Sequence, residues 1–188
     1  MGGPMQFMTA RLDLLAGTLT GDTISASRRT LAGLRGYFED EAARAAMDQD
    51  LEVYRVEAFE PVPERIEGAV CAATTFLAPG KVGDEYFLTR GHFHADQDRP
   101  ELCLCVSGRG ALILMTKDRA IRVETLSPGI LVHVPPRTAH RCANTGDVPL
   151  VFVSFWASET GHDYETIARE GFSARLRELD GRPTLVPV

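Results

Sequence analysis

The sequence predicts an all-β protein: a small antiparallel barrel with a short helix on its N-terminal side and another near its C-terminus. Three observations carry this. From Leu51 onward, short apolar runs alternate with polar residues at strand period. Turn signals separate these runs at close intervals, as in sandwiches and barrels. Helical character is confined to two stretches.

The first 25 residues are weakly patterned and hold Gly- and Thr-rich turns, as in LAGTLTGDT. In SRRTLAGLRGYFEDEAARAAMDQD, Asp40, Glu41 and the following alanines predict a short helix whose acidic start complements the helix dipole. Strands follow in LEVYRVEAF, GAVCAATTFLA, FLTRGHFH, ELCLCVS, GALILMT, AIRVETL, ILVHVP and PLVFVSFW. Pro79-Gly80, Gly108 with Gly110, Lys117-Asp118, Pro128-Gly129, Pro135-Pro136 and Asn144 to Asp147 mark the turns. The stretch HDYETIAREGF reads as an amphipathic helix closed by Gly171. With no repeat, low-complexity tract or linker, the expectation is one domain over 1–188, divided into an N-terminal extension (1–50), a barrel core (51–160) and a C-terminal helix and tail (161–188).

Composition narrows the function. Twenty Lys and Arg against 26 Asp and Glu give a net charge of −6, with no basic stripe for nucleic acid. No apolar run approaches the roughly 20 residues of a membrane-spanning helix. MGGPMQFMTARLDLL lacks the basic and apolar order of a signal peptide, and Gln6 argues against myristoylation. Lys81 and Lys117, the only lysines, stand beside turn residues and are poor Schiff-base candidates. Cys71, Cys103, Cys105 and Cys142 suggest no disulfide scaffold, and Cys103 and Cys105 read as separate buried thiols. The expectation is a cytoplasmic enzyme or small-molecule binding protein.

The sharpest chemical feature is Gly91-His92-Phe93-His94, followed by Glu101. Residues two apart on a strand share a face, so His92 and His94 can aim at one point. Glu101 shares a face with Cys103 and Cys105, and His140 supplies a third imidazole after Pro135-Pro136. Three histidines and a carboxylate suit Fe²⁺, Mn²⁺, Ni²⁺ or Zn²⁺. On an octahedral ion such a set leaves two positions open to substrate oxygens. A His-x-His pair alone is common strand decoration; the joint pattern, with Gly108 seven residues after Glu101, is more specific.

That pattern resembles the cupin superfamily. Its first motif corresponds to Gly91, His92, His94, Glu101 and Gly108, and its second to Pro128-Gly129, Pro135, His140 and Asn144. The longer strings GLRGYFEDE, PGKVGDEYFLTRGHFH, VHVPPRTAHRCANTGDVPLVF and GHDYETIAREGFS resemble the cupin-type, archaeal-type phosphoglucose isomerases, from about residue 28 to about residue 175. The resemblance implies a jelly-roll barrel and a homodimer with one divalent metal per subunit, Fe²⁺ first among the candidates. It implies interconversion of glucose 6-phosphate and fructose 6-phosphate, a step of glycolysis and gluconeogenesis.

By matching position, the metal ligands would be His92, His94, Glu101 and His140. The phosphate would meet Tyr54, Thr75, Thr89 and Gly91; the sugar would meet Glu101, Trp156, His162 and Tyr164. Glu101 and His162 would be the catalytic groups. Strand propensity alone also explains Thr75, Thr89 and Tyr54, and His162 also fits a plain helix start. Two departures stand out. Cys103 and Arg137 occupy positions where the family usually has aromatic residues, and Arg137 either faces solvent or brings charge to a phosphate. Both an enediol route and a hydride shift fit the residues. An Fe²⁺ cupin dioxygenase, an isomerase of another sugar phosphate and a non-catalytic sugar-binding cupin are the competing readings; the phosphate-binding pattern disfavours the dioxygenase.

Overall fold

Among the described residues the strands form five sheets, and the barrel is built on two of them. In this computed structural model, which describes residues 7–188 apart from 22 and 65, β1 (Ala10–Leu12) and β2 (Leu19–Gly21) make a hairpin before β3 (Ile24–Thr30). The N-terminal MGGPMQ, relevant to the signal-peptide and myristoylation readings, lies outside the described residues. A 3-10 turn over Ala32–Leu34 and helix α1 (Glu41–Ala46) lead into β4 (Glu52–Phe59) and β5 (Val70–Leu77). Short strands β6 (Lys81–Val82), β7 (Glu85–Tyr86) and β8 (Phe93–His94) precede β9 (Glu101–Ser107), β10 (Gly110–Thr116), β11 (Ile121–Leu126) and β12 (Leu131–Val134). Then come β13 (Thr138–Asn144), β14 (Leu150–Ala157), β15 (His162–Asp163), α2 (Tyr164–Glu170), β16 (Ala174–Leu179) and β17 (Arg182–Pro187).

One sheet has the order β12-β9-β14-β5-β4-β3, and its partner the order β11-β10-β13. Backbone bridges from Leu88 to Ala143 and from His92 to His140 attach the segment before β8 to β13. This is the jelly-roll, cupin-type barrel. Leu77, Leu126, Val134 and Leu150 fill its interior with no exposed surface. Each such side chain contributes about 1.5–3 kcal/mol by leaving water. No described helix is long and apolar enough to cross a membrane.

Both helices begin as the residues dictate. Asp40 accepts a hydrogen bond from the Ala43 N–H at 2.8 Å, and Asp163 caps α2 by accepting from the Thr166 N–H at 3.1 Å. Gly171 ends α2 with a φ of 64°, which favours glycine.

Three segments depart from expectation. Residues 24–30, left outside the barrel, form the edge strand of the large sheet; ISASRRT hides this because one face of an edge strand is solvated and polar. The C-terminal tail is the hairpin β16-β17, obscured by charges and by Pro183 and Pro187. It is anchored where Arg175 donates to Glu85 at 2.9 Å and to the Tyr37 carbonyl at 3.1 Å. FLTRGHFH pairs as a strand only at Phe93–His94, since Gly91, with φ 75°, turns the backbone. A side chain at Gly91 would meet Arg141 and Phe172, each at 2.9 Å.

Asn144 ties the two sheets together. Its fully buried amide donates to the Leu77 and Val148 carbonyls, each at 2.9 Å, and its oxygen accepts from the Gly146 N–H at 2.9 Å. Asn144→Ala leaves those groups unpaired, and we expect a loss of about 2–3 kcal/mol in urea unfolding. A shift below about 0.5 kcal/mol would contradict this role.

Candidate metal centre and active site

Strand register brings the three histidines and Glu101 to one place. His92 and His140 face each other across a two-way backbone bridge, with N–H to carbonyl distances of 3.2 and 3.0 Å. Their rings lie 4.4 Å apart, and the His94 ring lies 5.2 Å from that of His140. Glu101 opens β9 opposite Trp156, and its side chain is buried. One potential ligand atom from each of His92, His94, Glu101 and His140 lies within 4.8 Å of all the others.

The electrostatics suit a cation. His94 donates from Nδ1 to the Arg99 carbonyl at 2.7 Å, which leaves the lone pair of Nε2 directed inward. Glu101 Oε2 stands 3.3 Å from His94 Nε2 and 3.4 Å from His140 Nε2. Burial alone would raise the Glu101 pKa, but the surrounding imidazoles, His140 foremost, hold it well below the usual range. Burial, reinforced by the neighbouring imidazoles His140 and His162, lowers that of His92 well below normal. At His140 burial also lowers, but the Glu101 carboxylate outweighs it and the net shift is upward. His92 Nε2 and His140 Nε2 are buried without a hydrogen-bond partner. Orphaned nitrogens facing a buried carboxylate fit a divalent ion, which would satisfy them all.

The cluster sits in the wall of a cavity of about 320 Å³. His94 lies behind the wall, whereas His92, Glu101 and His140 reach it. Tyr54, Thr75, Thr89 and Gly91 line one region of the same cavity. There Tyr54 pairs across strands with Leu77 and Arg29, and Thr75 with Val56 and Phe152. Thr89 Oγ1 accepts from the Cys142 N–H at 3.0 Å, so its own hydroxyl proton is available to an anion.

Trp156, His162 and Tyr164 line the cavity as well. The His162 ring stacks on Tyr164 at 5.6 Å and 12°, and lies 4.7 Å from the His92 ring and 5.8 Å from that of Trp156. His162 Nδ1 is 2.8 Å from Glu64 Oε1. His162 also directly precedes the N-cap of α2, so its position at the helix start and its place in the cavity coincide.

Every site residue named from the sequence therefore belongs to this cavity or its metal cluster. Cys103 lines the wall where the family usually has an aromatic side chain. Arg137 takes the solvent-facing alternative: its side chain is 65% exposed and paired with Asp98 at 2.8 Å. Sequence reasoning missed Glu64, Arg29 and Arg90, all of which line the cavity. Arg90 could have been found, since it stands between Thr89 and Gly91; Arg29 could not without its strand.

Comparison with known proteins agrees with this geometry. The family model for glucose-6-phosphate isomerase (GPI) matches residues 28–182. The chain is 41% identical over 174 residues to a glucose-6-phosphate isomerase from Thermococcus litoralis, covering 92% of this chain and 90% of that one. A glucose-6-phosphate isomerase from Pyrococcus horikoshii is 44% identical over 160 residues, 84% of each chain. Among solved structures, Bacillus subtilis oxalate decarboxylase aligns with 58% of this chain and 26% of its own, at 20% identity and a TM-score of 0.47. By the family model and by its isomerase relatives at 41–44% identity, the chain belongs to the glucose-6-phosphate isomerase family, in its cupin-type, archaeal form.

Proposed function

We propose that this cavity interconverts glucose 6-phosphate and fructose 6-phosphate. One observation carries the reading: a three-histidine, one-carboxylate cluster opens through His92, Glu101 and His140 onto a single cavity of sugar-phosphate size that anion donors also line. A dioxygenase leaves the anion donors without a task.

Isomerisation moves one hydrogen between C1 and C2 and one proton between their oxygens. When bound by His92, His94, Glu101 and His140, a divalent ion supplies Lewis acidity to those oxygens. Glu101 turns Oε2 towards His94 and His140. Its other oxygen remains for proton transfer at C1 or C2. His162, stacked on Tyr164 and held by Glu64, presents its second nitrogen to the sugar, where it moves the proton that opens the ring. Trp156 closes the wall against water beside Glu101. Tyr54, Thr75, Thr89 and the Gly91 N–H orient the phosphate, which places C1 and C2 at the cluster.

Fe²⁺ is the ion we favour, with Mn²⁺, Ni²⁺ and Zn²⁺ accepted by the same donors. We place the enzyme in the cytoplasm, in glycolysis or gluconeogenesis, as a homodimer. Support for pairing comes from Leu102 and Leu131, 40% and 57% exposed on the outer face of the large sheet.

Three outcomes follow. Dialysis against a chelator abolishes turnover of fructose 6-phosphate in a coupled assay, and Fe²⁺ or Mn²⁺ restores it; full activity in metal-free protein would end the proposal. Glu101→Gln and His140→Ala each lower kcat by about 100-fold or more while circular dichroism keeps the native β signal. Arg137→Ala, outside the cavity, leaves kcat/KM within twofold; a tenfold fall would put that side chain on the substrate.

A further inference from the structure

The chain carries a net charge of −6, so its overall field opposes the approach of a phosphomonoester dianion. Hydroxyls and a backbone amide supply hydrogen bonds to such a group, but no full positive charge. Two guanidinium groups lie where that charge is needed. Arg29, on the inward face of β3, stands directly across from Tyr54 and lines the cavity. Arg90 lies between Thr89 and Gly91, and its guanidinium carbon sits 4.2 Å over the Tyr164 ring. Both arginines sit close enough to Tyr54 and Tyr164 to oppose the upward push of burial on those phenols.

Neither arginine is neutralised by a carboxylate among the described residues. Among the described residues, no carboxylate lies within ion-pair distance of either one, and Arg29 donates from Nη1 to the Arg28 carbonyl at 2.9 Å. The Arg90 Nε is buried without a partner. Other cavity-lining charges behave differently. Glu64 pairs with His162, and Arg141 is packed over the Phe172 ring at 3.9 Å. A buried, unpaired guanidinium nitrogen beside two phenols and a threonine hydroxyl is an arrangement that an oxyanion completes.

We propose that Arg29 and Arg90 are the specificity-determining residues that select a phosphorylated sugar. They come from the edge strand β3 and from the turn before His92, and they meet the dianion beside Tyr54 and Tyr164 respectively. The inference rests on the isomerase reading for the identity of the substrate, but the clamp itself is tested with inorganic phosphate alone.

The experiment is isothermal titration of the metal-loaded protein with inorganic phosphate, alongside KM for fructose 6-phosphate. Arg29→Gln and Arg90→Met are compared with Arg28→Gln, which removes the same charge one residue away on the exposed face of β3. We expect phosphate affinity to fall about tenfold or more in the two cavity variants and to stay within twofold of the parent in Arg28→Gln. Arg90→Lys, which keeps the charge but loses the fork, is expected to fall between them. Metal content and thermal midpoint are read on every variant, so that loss of fold is not mistaken for loss of the clamp; Arg90→Lys stands in if Arg90→Met does not fold. Equal phosphate affinity in the parent, Arg29→Gln and Arg90→Met would overturn the clamp, even in an active isomerase. A phosphate-binding cavity that fails to turn over fructose 6-phosphate would leave the clamp standing and remove the isomerase reading.

Discussion

Gathering one carboxylate and three imidazoles out of water is the constraint on which the rest of the structure depends. A buried polar group without a partner costs about 1–3 kcal/mol, so such a cluster persists only if its surroundings over-determine it. The scaffold does so at the backbone level. His92 and His140 are locked together through main-chain hydrogen bonds, His94 is fixed through Nδ1, and Glu101 starts a strand whose register is set on both sides by β12 and β14. The side chains have little freedom to separate and pair with water instead. A divalent cation converts this unfavourable gathering into a stable one, which links metal affinity to the fold itself.

Around that cluster the cavity wall carries charges of both signs. Arg29 and Arg90 flank the phenols at one region, while Glu64 and Glu101 hold histidines elsewhere on the wall. The second helix matters here because its N-terminal segment brings His162 and Tyr164 together, with their rings stacked and the Arg90 guanidinium over Tyr164.

Much of this was legible in the residues. Short β-prone runs bounded by turn residues located β4, β5, β9, β10, β11, β12 and β14, whether alternating, as in Glu52–Phe59, or apolar on both faces, as in Gly110–Thr116. The metal cluster was legible from its spacing, since a two-residue step on a strand has one geometric meaning. What escaped was structure defined by partners far away in the chain. Ile24–Thr30 is polar on its solvated side and becomes a strand only by pairing with β4, so Arg29 could not be assigned to the cavity. The β16-β17 hairpin contains prolines that argue against a strand until its edge position is known. Arg137 had two readings that only its Asp98 partner could separate.

X-ray absorption at the metal edge of the reconstituted protein addresses the central claim most directly. The account predicts a shell of nitrogen and oxygen donors at about 2.0–2.2 Å, with the multiple scattering of three imidazoles and no sulfur. One imidazole fewer is expected in His140→Ala. A sulfur scatterer near about 2.3 Å, as Cys103 or Cys142 would supply, would contradict the assignment of the metal to His92, His94, Glu101 and His140.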